Sequence, residues 1–173
     1  VIPGFYADPE ILYSEKTGRY YLYPTTDGCE NWQNHDAHVY SSADMKTWKK
    51  DGVALDLQTD VTWANEKLWA PCIIERKIGK GKKAKYQYYY YFVADGSIGV
   101  AISDRPEGPF RDALGKPLLK QPESGPMRGH LIDPDVFLDP QSGKYYLYWG
   151  NAFLAVAELS DDMLSIKDST LQY

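Results

Sequence analysis

One figure is written three times in this chain, and it constrains the fold more than any other feature. Asp8-Pro9-Glu10-Ile11-Leu12, Ala70-Pro71-Cys72-Ile73-Ile74 and Asp133-Pro134-Asp135-Val136-Phe137 begin 62 and 63 residues apart, from position 8 to 70 and from 70 to 133. Each X-Pro step opens an apolar strand. An aromatic strand follows each: Arg19 to Tyr23, Tyr86 to Val93, and Lys144 to Trp149. A third strand comes next, at His38 to Ser42, Ile98 to Ser103 and Leu154 to Leu159, and each runs into a Ser-Asp type turn. A short segment closes each unit: Trp48 to Val53, Phe110 to Leu114, and Ser165 to Asp168.

Repetition at this period dictates an architecture. Short strands separated by Gly, Asp and Pro turns, with no useful stretch of helical period, predict an all-β chain. A four-stranded unit repeated in phase is a propeller blade. The predicted fold is therefore a β-propeller, with blade 1 about 5-60, blade 2 about 61-125 and blade 3 about 126-173. A β-sandwich could use the same hairpins, but sandwiches do not usually show three copies in phase. Propellers close with about four to eight blades. Three blades predict part of a larger ring, with the remaining blades on a continuing or second chain.

Composition removes several function classes. The net charge is −5, whereas phosphate binding wants a basic face, so no nucleic-acid partner is expected. The one basic run, Lys77 to Lys85, is punctuated by Gly79 and Gly81 and reads as an exposed hairpin loop. No run of 18 apolar residues occurs, so no membrane-spanning helix is expected. Cys29 and Cys72 could pair or stay free, and no Cys/His cluster suggests zinc. The chain begins abruptly at Val1-Ile2-Pro3, as a trimmed product would; a secreted or periplasmic location is the expectation.

In a propeller the first strand of each blade lines the central channel, and its start opens onto one face of the disc. Asp8 and Asp133 then stand at channel mouths in blades one and three, where blade two has Ala70. Two carboxylates converging from rigid strands suit general acid–base chemistry. An Asp-Pro that merely caps a turn is the simpler reading for either residue alone. Both in register, with one repeat lacking the acid, favours chemistry.

These residues carry a family resemblance. Tyr6-Ala7-Asp8-Pro9-Glu10-Ile11, Tyr20-Tyr21-Leu22-Tyr23-Pro24-Thr25-Thr26-Asp27-Gly28, Leu68-Trp69-Ala70-Pro71, Ile98-Gly99-Val100-Ala101, Gly108-Pro109-Phe110 and Ile132-Asp133-Pro134-Asp135-Val136-Phe137 occur in the order found in the family 43 glycoside hydrolases. The chain resembles those five-bladed β-propellers, which cut arabinose- and xylose-containing polysaccharides. The resemblance implies inverting hydrolysis of α-L-arabinofuranosyl or β-D-xylosyl linkages in plant cell-wall polymers such as arabinan, arabinoxylan and xylan. It implies Asp8 as general base and Asp133 as the aspartate that raises the pKa of a glutamic general acid. That acid is expected about one blade beyond Asp133, outside the sequence. Glu107, in Glu107-Gly108-Pro109, looks similar to an acid motif but stands in the turn before Phe110. Glu123 and Glu158 also lie at unsuitable positions.

Sugars present flat apolar faces, so aromatic platforms are expected near the mouth. Trp69, Trp63, Trp149 and Trp32 are the candidates, while Trp48 is expected in the core. Asp27 and Asn151 are the polar candidates for sugar hydroxyls. His35, His38 and His130 show no ligand spacing; no metal site is predicted and no cofactor is required, although the family admits a structural calcium. The alternative is a non-catalytic carbohydrate-binding or scaffolding propeller, or an inactive fragment lacking its acid.

Overall fold

The computed structural model describes residues 2–120 and 129–173. Its strands are β1 (Tyr6–Ser14), β2 (Arg19–Thr26), β3 (Asp36–Ser42), β4 (Lys49–Asp56), β5 (Trp69–Ile78), β6 (Lys85–Ala94), β7 (Ser97–Ser103), β8 (Arg111–Asp112), β9 (Asp135–Leu138), β10 (Tyr145–Trp149) and β11 (Ala155–Glu158). They form three antiparallel sheets, each a meander in chain order: β1-β2-β3-β4, β5-β6-β7-β8 and β9-β10-β11. Tight turns make this possible. Gly18, at φ 65°, closes the first hairpin with its N–H donating to Ser14 O at 2.8 Å, a conformation glycine adopts without steric cost. The three first strands lie side by side, β1 against β5 and β5 against β9. This is the radial arrangement of neighbouring propeller blades.

The aromatic run of β6 shows why the sheets stack. Side chains alternate across a strand, so a strand covered on both faces needs apolar residues throughout. Tyr88, Tyr90 and Phe92 enter one core with Tyr21, Tyr23, Leu55 and Phe110. Tyr89 and Tyr91 enter a second core with Val100, Leu147, Trp149 and Met163. The buried hydroxyls find acceptors: Tyr23 donates to Pro106 O at 2.6 Å and Tyr91 to Met163 O at 2.8 Å. On β2 and β10 of the outer sheets the buried aromatic and aliphatic residues alternate with partly exposed ones, Tyr21 and Tyr23 about Leu22, Leu147 and Trp149 about Tyr148. Ile11 and Tyr13 on β1, and Phe137 and Leu138 on β9, remain exposed.

Two expectations need correction, and one open alternative is decided. The segment Ser165 to Asp168 is not a fourth strand; it makes one bridge, Leu159 to Ile166. The edge of β11 is satisfied instead by Lys167 N–H on Glu158 O at 2.8 Å and by the Thr170 hydroxyl accepting from Glu158 N at 2.9 Å. Trp48 is not core: it sits half-exposed just before β4, with Nε1 donating to Met45 O at 3.2 Å within the turn. Cys29 and Cys72 are both free, one exposed and one buried.

Trp63 stacks on Phe92, with ring centroids 5.8 Å apart and planes 16° from parallel. Gly99 makes room for that stack. A Cβ at position 99 would lie 2.5 Å from Phe92 and 2.6 Å from Trp63. Gly99→Ala should therefore destabilise the fold by about 1–3 kcal/mol through overpacking. Denaturant unfolding checks this, and an unchanged midpoint would contradict the packing described.

Candidate active site

The X-Pro steps are β-bulges. In the first hairpin Ala7 pairs with Thr25 and Glu10 with Tyr23, so Asp8 and Pro9 face Pro24 alone. In the second, Trp69 pairs with Val93 and Cys72 with Tyr91, leaving Ala70 and Pro71 opposite Phe92. In the third, Gly150 N–H donates to Ile132 O at 2.9 Å while Asp135 pairs with Tyr148, so Asp133 and Pro134 face Trp149. Proline has no N–H to give the ladder, and two residues against one is the signature of a bulge. The residue before each proline has positive φ: 45° at Asp8, 43° at Ala70 and 56° at Asp133. Asp tolerates this region better than most residues. The bulge turns the side chain out of the pleat at the same level in all three sheets.

Asp8 and Asp133 thereby border one cavity of about 370 Å³, together with Thr25, Thr26, Asp27, Trp32, Trp69 and Ala70. Trp69 Nε1 donates to the carbonyl of Trp32 at 3.1 Å, which ties the two indoles' segments together along one wall. Thr25 is buried at 6% exposure; its hydroxyl donates to Asp8 Oδ2 at 2.8 Å and accepts from Ala70 N at 2.8 Å. Burial, then the charge of Asp8, raises the Asp133 carboxyl above the ordinary carboxylate range. Raised pKa values of this origin, in a concave site, are a feature of functional carboxylates.

The model of glycosyl hydrolases family 43 matches residues 1–173. The chain belongs to that family. A β-D-galactofuranosidase of Aspergillus niger is 37% identical, covering 99% of this chain and 50% of the relative. An arabinoxylan arabinofuranohydrolase of Bacillus subtilis is 34% identical over 87% of this chain and 32% of its own length. Among solved structures, an α-L-arabinofuranosidase of Clostridium thermocellum superposes with TM-score 0.78 at 31% identity, covering 96% of this chain and 55% of the other. The family fold is the five-bladed β-propeller, and the chain spans half or less of the length of these curated relatives.

Within this family 43 chain the other candidates separate. Asp27 and Trp69 border the cavity; Trp63, Trp149 and Asn151 do not. Trp63 is occupied by Phe92, and its Nε1 donates to Asp112 at 3.1 Å. Trp149 is 4% exposed within the second core. Asn151 is exposed and bridges His130 through the backbone. Glu107 lies in the turn after β7, and Glu158 is held by Lys144 at 2.8 Å and Lys167 at 2.5 Å. Glu123 lies outside the described residues. Among the described residues no glutamate borders the cavity.

Sequence reasoning missed Thr25. Its signal was available: carrying the Ser14–Arg19 register back along the hairpin sets Thr25 beside the Asp8 bulge. It also missed Glu10. With Asp8, Cys72, Asp133 and Asp135, Glu10 lines a second cavity of about 250 Å³ alongside the first. Its carboxyl is pushed up to about 7, chiefly by burial; the Ile73 N–H at 3.4 Å opposes this and the charge of Asp135 adds to it. Among the described residues no group of three or more His, Cys, Asp or Glu side chains is placed to hold a metal ion.

Glu10 gives a pH prediction. Its folded value, about 7, lies above the ordinary 4.5, so the folded chain binds the proton more tightly. Its contribution is fully present below about pH 4.5 and is lost as pH rises to about 7. Glu10→Gln should flatten that fall in thermal stability by a few degrees, corresponding to about 1–3 kcal/mol after allowance for solvent screening. Melting temperatures at pH 4.5 and 7.5 measure it; parallel pH profiles for both proteins would contradict the assignment.

Proposed function

We propose that the protein hydrolyses terminal α-L-arabinofuranosyl or β-D-xylosyl groups of plant cell-wall polysaccharides, with inversion at the anomeric carbon. One observation carries the reading: two in-register bulges bring Asp8 and Asp133 to a single pocket walled by Trp69 and Trp32. The names of relatives add support, since they include xylosidase/arabinosidase and arabinoxylan arabinofuranohydrolase enzymes.

In this mechanism the indole of Trp69 packs on the apolar face of the sugar, and Asp27 offers its carboxylate to ring hydroxyls. Asp8 accepts a proton from a water molecule, which attacks the anomeric carbon from the side opposite the leaving oxygen. A glutamic acid protonates that oxygen; it comes from the remaining blades, on a continuing or second chain. Asp133 adds negative charge beside the acid and so keeps it protonated near neutral pH. The exposed apolar residues of β1 and β9 suit packing against those blades. Polymeric substrates of this kind point to a secreted or periplasmic protein.

A non-catalytic carbohydrate-binding propeller would bind the same oligosaccharides without turnover. The test uses the intact protein on nitrophenyl α-L-arabinofuranoside and β-D-xyloside. The wild type should hydrolyse one of them, and Asp8→Asn should lower kcat by about 10³-fold or more, while binding of the oligosaccharide survives. Activity retained in Asp8→Asn would remove Asp8 as the base. Wild-type binding without turnover would leave the non-catalytic reading.

A further inference from the structure

We infer that Thr25 is a positioning residue for Asp8, and that the second sheet serves the site through the backbone N–H of Ala70. The inference rests on the reading of Asp8 as general base. It begins from the position at which the second repeat departs from the other two. All three sheets keep the bulge and its positive φ, but the second carries Ala70 in place of an aspartate. That bulge interrupts the ladder between Trp69 and Cys72, so the Ala70 N–H turns to the neighbouring sheet and donates to Thr25 Oγ1 at 2.8 Å.

This contact fixes the direction of a proton. A peptide N–H can only donate, so it occupies a lone pair on the Thr25 oxygen. The hydroxyl has one proton, and the oxygen within reach of it is Asp8 Oδ2 at 2.8 Å. Thr25 therefore donates to Asp8, and Oδ2 must accept. Oδ1 is left as the oxygen available to a water in the cavity. The chain Ala70 N–H, Thr25 hydroxyl, Asp8 carboxylate thus sets the rotation of the base. Thr suits the task because its branched Cβ restricts χ1, and its burial, at 6% exposure, keeps water from competing for the bonds.

The test compares Thr25→Val, Thr25→Ser and Asp8→Asn in the intact protein on the nitrophenyl glycoside that the wild type cleaves. Val keeps the shape and removes the hydroxyl; Ser keeps the hydroxyl. Thr25→Val should lower kcat by about 10–100-fold, as misplacement of a catalytic group does, with KM within about twofold of wild type. Thr25→Ser should keep kcat within about threefold of wild type. Should Thr25→Val fail to fold, Thr25→Ala carries the same comparison. Loss in Asp8→Asn with no change in the hydroxyl-free variant overturns the inference and leaves the base assignment standing. Equal losses in Ser and Val would make Thr25 a packing residue and also overturn it. An active Asp8→Asn would remove the base assignment itself.

Discussion

A proline ring has no N–H to donate to a β-ladder, and Pro9, Pro71 and Pro134 impose the same consequence at three places. Each breaks the pairing between the first two strands of a sheet and leaves two residues opposite one. The residue before each proline then takes positive φ, a conformation that costs roughly 1–2 kcal/mol for most L-residues. Such strain persists where the surrounding structure enforces it, and it concentrates at functional sites. Here the gain is placement. A side chain that would lie within the sheet is turned toward the end of the strand, at one level in three neighbouring sheets. Asp8 and Asp133 meet at one cavity because the device is repeated, and Ala70 joins them through its backbone.

Rigid packing makes that level hold. The middle sheet has a core on each face, and β6 fills both with a nearly unbroken aromatic run. Fixing β5 between β1 and β9 fixes the three bulges relative to one another. The carboxyl of Asp133 is raised by burial and by Asp8 together, which registers the same closeness as an electrostatic effect. The outer first strands are less covered, with Ile11 and Tyr13 on β1 and Phe137 and Leu138 on β9 left exposed.

Much of this was legible in the sequence. The repeats, the strands, the aspartate pair and the family are all carried by local patterns: X-Pro steps, Gly turns and aromatic doublets. The site's supporting residues were less visible because they act through partners on other strands. Thr25 stood beyond the strand read at Arg19 to Tyr23, and only the hairpin register sets it against Asp8. Trp63 and Trp149 satisfied the rule that sugars want aromatic platforms, yet the aromatic rings of a sheet protein are also its core. Their neighbours decide the matter: Phe92 and Gly99 claim Trp63, and the second core claims Trp149. Trp48 erred in the opposite direction, since a turn can hold an indole by its N–H alone. Glu10 was read as a strand residue, because burial, which changes its chemistry, has no local signature.

The central claim is that the repeated bulges place Asp8 and Asp133 on either side of one sugar ring. A crystal structure of the intact Asp8→Asn protein with a bound arabinoxylan oligosaccharide tests it most directly. The account predicts an anomeric carbon within the cavity bordered by Thr25, Trp69 and Asp133, with a water between it and the side chain at position 8. A sugar bound elsewhere, or one whose anomeric carbon lies out of reach of position 8, would contradict it.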